Sequence, residues 1–174
     1  MVDWTYYPLT TLPGRYDIVL CRFPEEGDER PGPKARPALV RTTAVMDDTG
    51  AGEVEVVYGT RVLKPRERPL DLHVTNVAEM DWAGLFHPTR FDLDKQIWLP
   101  WAEEFFVVPK GKVTPVLGSL SGYMVRKLQE QYAYKQHLYA QVEAEMEAQA
   151  ADAADDQAPA SADGPPKREK PKRS

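Results

Sequence analysis

Among the residues that could do chemistry, Arg36 stands in the most telling surroundings, the run Pro31-Gly32-Pro33-Lys34-Ala35-Arg36-Pro37-Ala38-Leu39-Val40. Proline fixes its own φ and biases the residue before it toward extended backbone. Arg36 is therefore expected at a rim, where a long loop rich in Gly and Pro enters a strand. A guanidinium offers five donors in a planar fork that matches phosphate oxygens, and it stays protonated throughout the working pH range. The chemistry suggested is the holding of an anion by charge and hydrogen bonds, with no easy proton transfer. The competing use of the same side chain is an ion pair with a nearby carboxylate such as Asp17.

Other side chains offer complementary chemistry. His87 precedes Pro88 and Thr89, and as a loop imidazole it could serve as a general acid near neutral pH; the plainer alternative is a solvated histidine. His73 falls in a strand candidate and His137 among polar neighbours on a helix. With these three widely spaced histidines and the single Cys21, neither a His/Cys metal centre nor a disulfide framework is expected, and no cofactor is implied. Trp82, Trp98, Trp101, Phe86, Phe91, Phe105 and Phe106 make the second half aromatic-rich. Some could stack on splayed bases, with core packing the default for most. Arg61, Lys64, Arg66 and Arg68 form a basic stretch that could track a phosphate backbone or simply face solvent.

The elements that must position these groups are mostly strands. Tyr16–Phe23 carries Ile18 and Leu20 on one face and Val19, Cys21 and Phe23 on the other, the pattern of a strand enclosed on both sides. Pro24 ends it, and residues 25–35 read as a long polar connection. Pro37–Val45 and Glu53–Thr60 follow as two strands joined by Asp47-Asp48-Thr49-Gly50-Ala51-Gly52. Shorter strands are expected at Leu72–Thr75, Thr89–Leu93, Gln96–Leu99 and Phe105–Val108. Many short strands joined by irregular loops predict a small curled barrel, a mainly β fold. From Ser121, a candidate N-cap, the apolar positions Val125, Leu128, Tyr132, Tyr139, Val142 and Met146 recur at helical spacing, predicting a long C-terminal helix that closes the barrel.

The chain of 174 residues has a net charge of −5, unevenly spread. Residues 1–140 are nearly neutral, 141–166 hold seven acids and no Lys or Arg, and 167–174 hold five bases and one acid. We therefore expect a domain over residues 1–148 and a disordered tail over 149–174, acidic then basic, too poor in apolar groups to offset the entropy of ordering. Neither a secretory leader nor a run of apolar residues long enough to span a bilayer is read, so a cytoplasmic location with a reduced thiol is expected.

Tyr16-Asp17-Ile18-Val19-Leu20-Cys21-Arg22-Phe23-Pro24, followed after a polar loop by Arg36-Pro37-Ala38-Leu39-Val40, resembles the opening of the MazF/PemK toxin family, the endoribonucleases called mRNA interferases. The resemblance continues through Val56-Val57-Tyr58-Gly59-Thr60 and Gly84-Leu85-Phe86-His87-Pro88-Thr89-Arg90-Phe91-Asp92-Leu93, and spans residues 14–140. It implies an SH3-like barrel with a C-terminal helix, a homodimer, single-stranded RNA as substrate and a cognate antitoxin whose acidic segment occupies the RNA groove. Carried over by position, Arg36 matches the family's active-site Arg, Thr60 the hydroxyl ending the third strand, and Arg90-Phe91-Asp92 the Arg-x-Asp pair of the PemK branch. In that scheme Asp92 takes the ribose 2′-OH proton, Arg36 neutralises the phosphorane and Thr60 donates to a phosphate oxygen. Arg61, Arg90, Glu29 and His87 are the residues expected to contact substrate. Glu29 stands in for the glutamate that the MazF branch presents ahead of its Arg, without a secure counterpart here. The alternative is a barrel of the same kind that binds nucleic acid or a protein partner without cutting.

Overall fold

In the computed structural model, which describes residues 2–157 and Gly164, the doubly apolar strand becomes β1, Asp17–Cys21. It pairs antiparallel with β2, Arg36–Val45, in the register Ile18↔Leu39 and Val19↔Ala38. β2 pairs in turn with β3, Gly52–Thr60. The remaining elements in chain order are β4 (Leu72–Val74), α1 (Val77–Ala83), β5 (Thr89–Pro100), β6 (Val116–Ser119) and α2 (Gly122–Asp156). The six strands form one antiparallel sheet in the order β4-β5-β3-β2-β1-β6, curled into a half-barrel.

Alternation along the central strands sends side chains into two separate cores, as β1's pattern requires. On one side Ile18, Leu39 and Val57 stack across three strands with Leu72, Phe91 and Leu93, and Met124 and Leu128 of α2 cover them. On the other, Val19, Cys21, Ala38, Val40, Val54 and Val56 meet Trp101, Phe105 and Phe106, with Trp4, Tyr7 and Leu12 packed against them. Completely buried side chains of this size each contribute roughly 1.5–3 kcal/mol. The half-barrel is thus braced on both faces, and its strand ends are rigid platforms for loops.

Several elements differ from expectation for local reasons. Phe105 and Phe106 are both buried in the same core, which consecutive strand residues on opposite faces could not be. The segment opens in a turn, with both amides donating to the Ala102 carbonyl at 3.2 and 3.0 Å, and its strand pairing is the isolated antiparallel bridge Cys21↔Phe106. The two strands expected at Thr89–Leu93 and Gln96–Leu99 are a single β5. Its register against β3 jumps from Val57↔Gln96 to Gly59↔Phe91, so Asp92, Asp94 and Lys95 lie in a bulge that breaks the apolar pattern without ending the strand. β6 and α1 were not expected. α1 starts at Asn76, whose side chain accepts from the Ala78 amide, and stops at Gly84 in the left-handed conformation (φ 68°).

α2 begins as predicted, with the Ser121 hydroxyl accepting from the Met124 amide at 3.2 Å. It runs on to Asp156, so residues 149–156, assigned by composition to the tail, are helical. Alanine is the best helix former, and Ala150, Ala151, Ala153 and Ala154 fill this last stretch. Residues 2–135 form one compact unit; the second begins at Gln136, and its described part is the exposed, acidic remainder of α2. The basic end of the tail lies outside the described residues. No described helix is long and apolar enough to cross a membrane.

Candidate functional site

β2 begins at Arg36 and β3 ends at Thr60, and the antiparallel pair Ala38↔Tyr58 sets these two termini side by side. The approach is close: a Cβ on Gly59 would lie 2.1 Å from the Pro37 carbonyl oxygen, so only glycine fits there. Pro37 has no N–H to donate at this point, which leaves its carbonyl and the Gly59 backbone as the floor. A cleft of about 500 Å³ opens over them. Its other wall comes from the turn after α1, where a Cβ on Gly84 would lie 2.1 Å from the Leu117 carbonyl oxygen of β6. That turn carries Leu85, Phe86 and His87 into the lining, fixed at its far end by the Thr89 hydroxyl donating to the His87 carbonyl at 2.9 Å.

The polar character of this cleft is one-sided. Lys34, Arg36, Arg61, Thr60 and His87 line it, and the lining contains no Asp or Glu. Among the described residues none of these three cations takes part in an ion pair. Asp17, the alternative partner for Arg36, is engaged elsewhere: its carboxylate accepts from the Gly14 amide at 2.7 Å and from the Ser119 hydroxyl. Thr60 is 7% exposed, and its oxygen accepts from the Val62 amide at 3.2 Å, which leaves its proton available for donation into the cleft. Three uncompensated cations with an added hydroxyl donor, on low-dielectric walls, make a site for an anion.

Of the residues expected from the sequence, the structure brings Arg36, Thr60, Arg61 and His87 into this one cleft. Arg90, Asp92 and Glu29 are not among its lining residues. Glu29 is exposed on the loop between β1 and β2. Arg90, 7% exposed, donates to Asp71 at 2.6 Å and to the Val62 carbonyl at 2.9 Å. Asp92 accepts from Arg68 at 2.8 Å and from the Asp94 amide at 3.1 Å. These contacts belong to a network in which Asp71, Asp92 and Asp94 are clamped by Arg68, Arg90 and Lys135. Arg68 pairs with all three aspartates, and Asp71, 1% exposed, is the most buried member. Burial would raise the pKa of its carboxyl, yet the hydrogen bonds from Arg68 and Arg90 prevail and hold it below the usual carboxylate value.

Of the basic stretch after Thr60, Arg61 lines the cleft, Lys64 lies 3.8 Å from Glu67 and Arg68 is bound into the aspartate network. Sequence reasoning assigned no role to Lys34, although it stands two residues before Arg36, and placed Phe86 only within a general aromatic set. In comparisons with known proteins, no protein-family model matches this chain and no curated protein matches it.

Proposed function

We propose that this chain is a metal-independent endoribonuclease of the MazF/PemK kind, the toxin of a toxin–antitoxin pair, that cleaves single-stranded RNA in the cytoplasm. The half-barrel with its long helix is compatible with the SH3-like barrel of that family, and the motif Arg36-Pro37 opens β2 as the resemblance requires. One observation carries the reading. Arg36, unpaired, shares a carboxylate-free cationic cleft with Thr60, and a phosphodiester is the anion whose geometry such a pair suits.

In the reaction proposed, the ribose 2′-oxygen loses its proton and attacks the adjacent phosphorus, the bond from phosphorus to the 5′-oxygen breaks, and that oxygen leaves with a proton. The products are a cyclic phosphate and a 5′-hydroxyl end. Arg36 offsets the added negative charge on the phosphorane, and Thr60 donates to a phosphate oxygen. The carboxylate of Asp92 is held by Arg68, so proton transfer falls to His87, the imidazole in the lining. A homodimer and an antitoxin with an acidic segment complete the proposal; a cationic cleft suits such a segment.

The test is incubation of the purified chain with mixed-sequence single-stranded RNA in EDTA. Cyclic-phosphate ends should form, and Arg36→Ala should lower the rate by about 10²-fold or more. The missing carboxylate base favours a second reading, a barrel that binds nucleic acid or a protein partner without cutting. Retained RNA binding with no cleavage at high enzyme excess would select it.

A further inference from the structure

Phe86 is 91% exposed, an unusual position for a phenyl ring on a chain that buries nearly all its other phenylalanines. No aromatic ring or cation stacks on it among the described residues. The backbone that carries it is nevertheless held in place. The left-handed Gly84 ends α1, the Leu85 amide donates to the Met80 carbonyl at 2.9 Å, and Leu85 is buried in the core directly beside it. Pro88 and the Thr89 hydroxyl restrain the chain on the other side. A naked aromatic ring, carried on a backbone held at both ends, thus stands in the lining of the cleft that also holds Lys34, Arg36 and Arg61.

The lining narrows the choice of occupant. An apolar peptide would bring no charge for three uncompensated cations, and an inorganic anion would leave the ring in water. A nucleotide supplies both partners, a phosphate for the cations and a flat π-face for the ring. We infer that Phe86 is a base-stacking platform, which holds the nucleobase next to the phosphate bound by Arg36 and thereby selects unpaired over duplex RNA. This rests on the proposal that the cleft takes RNA, and it adds a positioning residue that works through the base and touches none of the reacting atoms. In a duplex the bases are stacked on each other, and the ring would have no face to meet.

The experiment measures equilibrium binding of the full chain by fluorescence anisotropy. The probes are a short mixed-sequence RNA with 2′-fluoro sugars, which lacks the nucleophile, and an abasic phosphodiester chain of equal length. Phe86→Ala should weaken binding of the base-bearing probe by about 5- to 150-fold, the range for loss of one base–aromatic stack. Binding of the abasic chain should not change, and Phe86→Trp should restore affinity for the base-bearing probe. An equal loss on both probes, or no loss on either, overturns the stacking role while leaving the phosphate site intact. If the wild-type chain binds neither probe, the RNA proposal falls and the stacking falls with it. Since the ring is exposed, Phe86→Ala should keep the wild-type circular dichroism and unfolding midpoint, so a folding defect would not obscure the result.

Discussion

The most discriminating perturbation of the cleft is salt, because counterion release counts phosphate contacts. Lys34, Arg36 and Arg61 are the cationic lining residues, and among the described residues none of the three takes part in an ion pair. For single strands, each neutralised phosphate contributes about −0.7 to the slope of log affinity against log salt, so three contacts predict about −2.1. Raising salt from about 50 to about 200 mM should then weaken binding about 18-fold. Arg36→Ala should reduce the slope to about −1.4, and the same salt step to about 7-fold. The 2′-fluoro RNA serves as ligand, titrated by anisotropy at four or more salt concentrations. Arg30→Ala is the control, since Arg30 is paired with Asp28 at 2.9 Å and lies outside the lining. A slope unchanged by Arg36→Ala, or altered as much by Arg30→Ala, would show that RNA does not meet this cleft and that the electrostatic argument is wrong.

The remaining predictions concern the fold that supports the cleft and the proton transfer within it. Asp71→Asn should cost about 3 kcal/mol in urea unfolding, because it takes the buried carboxylate from Arg90, which then faces Asp92 at 3.7 Å, while Arg68 retains Asp92 and Asp94. The folded-state pKa of Asp71 is depressed, so its contribution is complete above the ordinary carboxyl value of about 3.9 and is lost as pH falls through the folded value. The difference in stability between wild type and Asp71→Asn should therefore narrow in that acidic window, and a constant difference would contradict the assignment. Tyr132 has a buried hydroxyl without a hydrogen-bond partner among the described residues, and burial pushes its pKa up to about 12 against the pull of the Arg41 guanidinium, 3.9 Å from its ring centre. Tyr132→Phe should be neutral or stabilising by about 1 kcal/mol. It should also abolish the loss of stability that wild type shows as pH rises from about 10, the unfolded value, through about 12, and a marked destabilisation at neutral pH would reveal an unsuspected hydrogen bond. His87→Gln should lower cleavage while leaving 2′-fluoro RNA affinity within about twofold; cleavage at the wild-type rate assigns the proton transfer elsewhere.

What could be read from the sequence was local, and what could not was tertiary. The doubly apolar pattern of Ile18 to Cys21 announced an enclosed strand, and β1 does feed two cores. Ser121 and the helical spacing after it announced α2. The signals for α1 were also present, an Asn76 cap with Glu79 three residues on and Gly84 at the stop, but a helix of 7 residues is too short for its periodicity to stand out. β5 was divided in two because its bulge presents charged residues where the pattern requires apolar ones. The fates of Arg90 and Asp92 depend on Asp71 and Arg68, separated from them by 19 and 24 residues, and no spacing rule announces such pairs.

The same separation explains how a chain of net charge −5 can present a site for an anion. Net charge governs solubility and long-range repulsion, whereas binding responds to the potential at the cleft, and the two decouple when charges are sorted in space. Here they are sorted twice. Along the chain, the described acids from Glu143 to Asp156 lie in the second unit, so the unit that bears the cleft is close to neutral. Within that unit, Asp71, Asp92 and Asp94 are each matched to Arg68, Arg90 or Lys135, so their charge is cancelled at short range. What remains without an ion pair in the lining, among the described residues, is Lys34, Arg36 and Arg61. Converting Asp92 to Asn would leave the network of three aspartates and three cations with one positive charge in excess, outside the lining, while converting Thr60 to Asp would place a negative charge inside the lining and oppose all three cations at once.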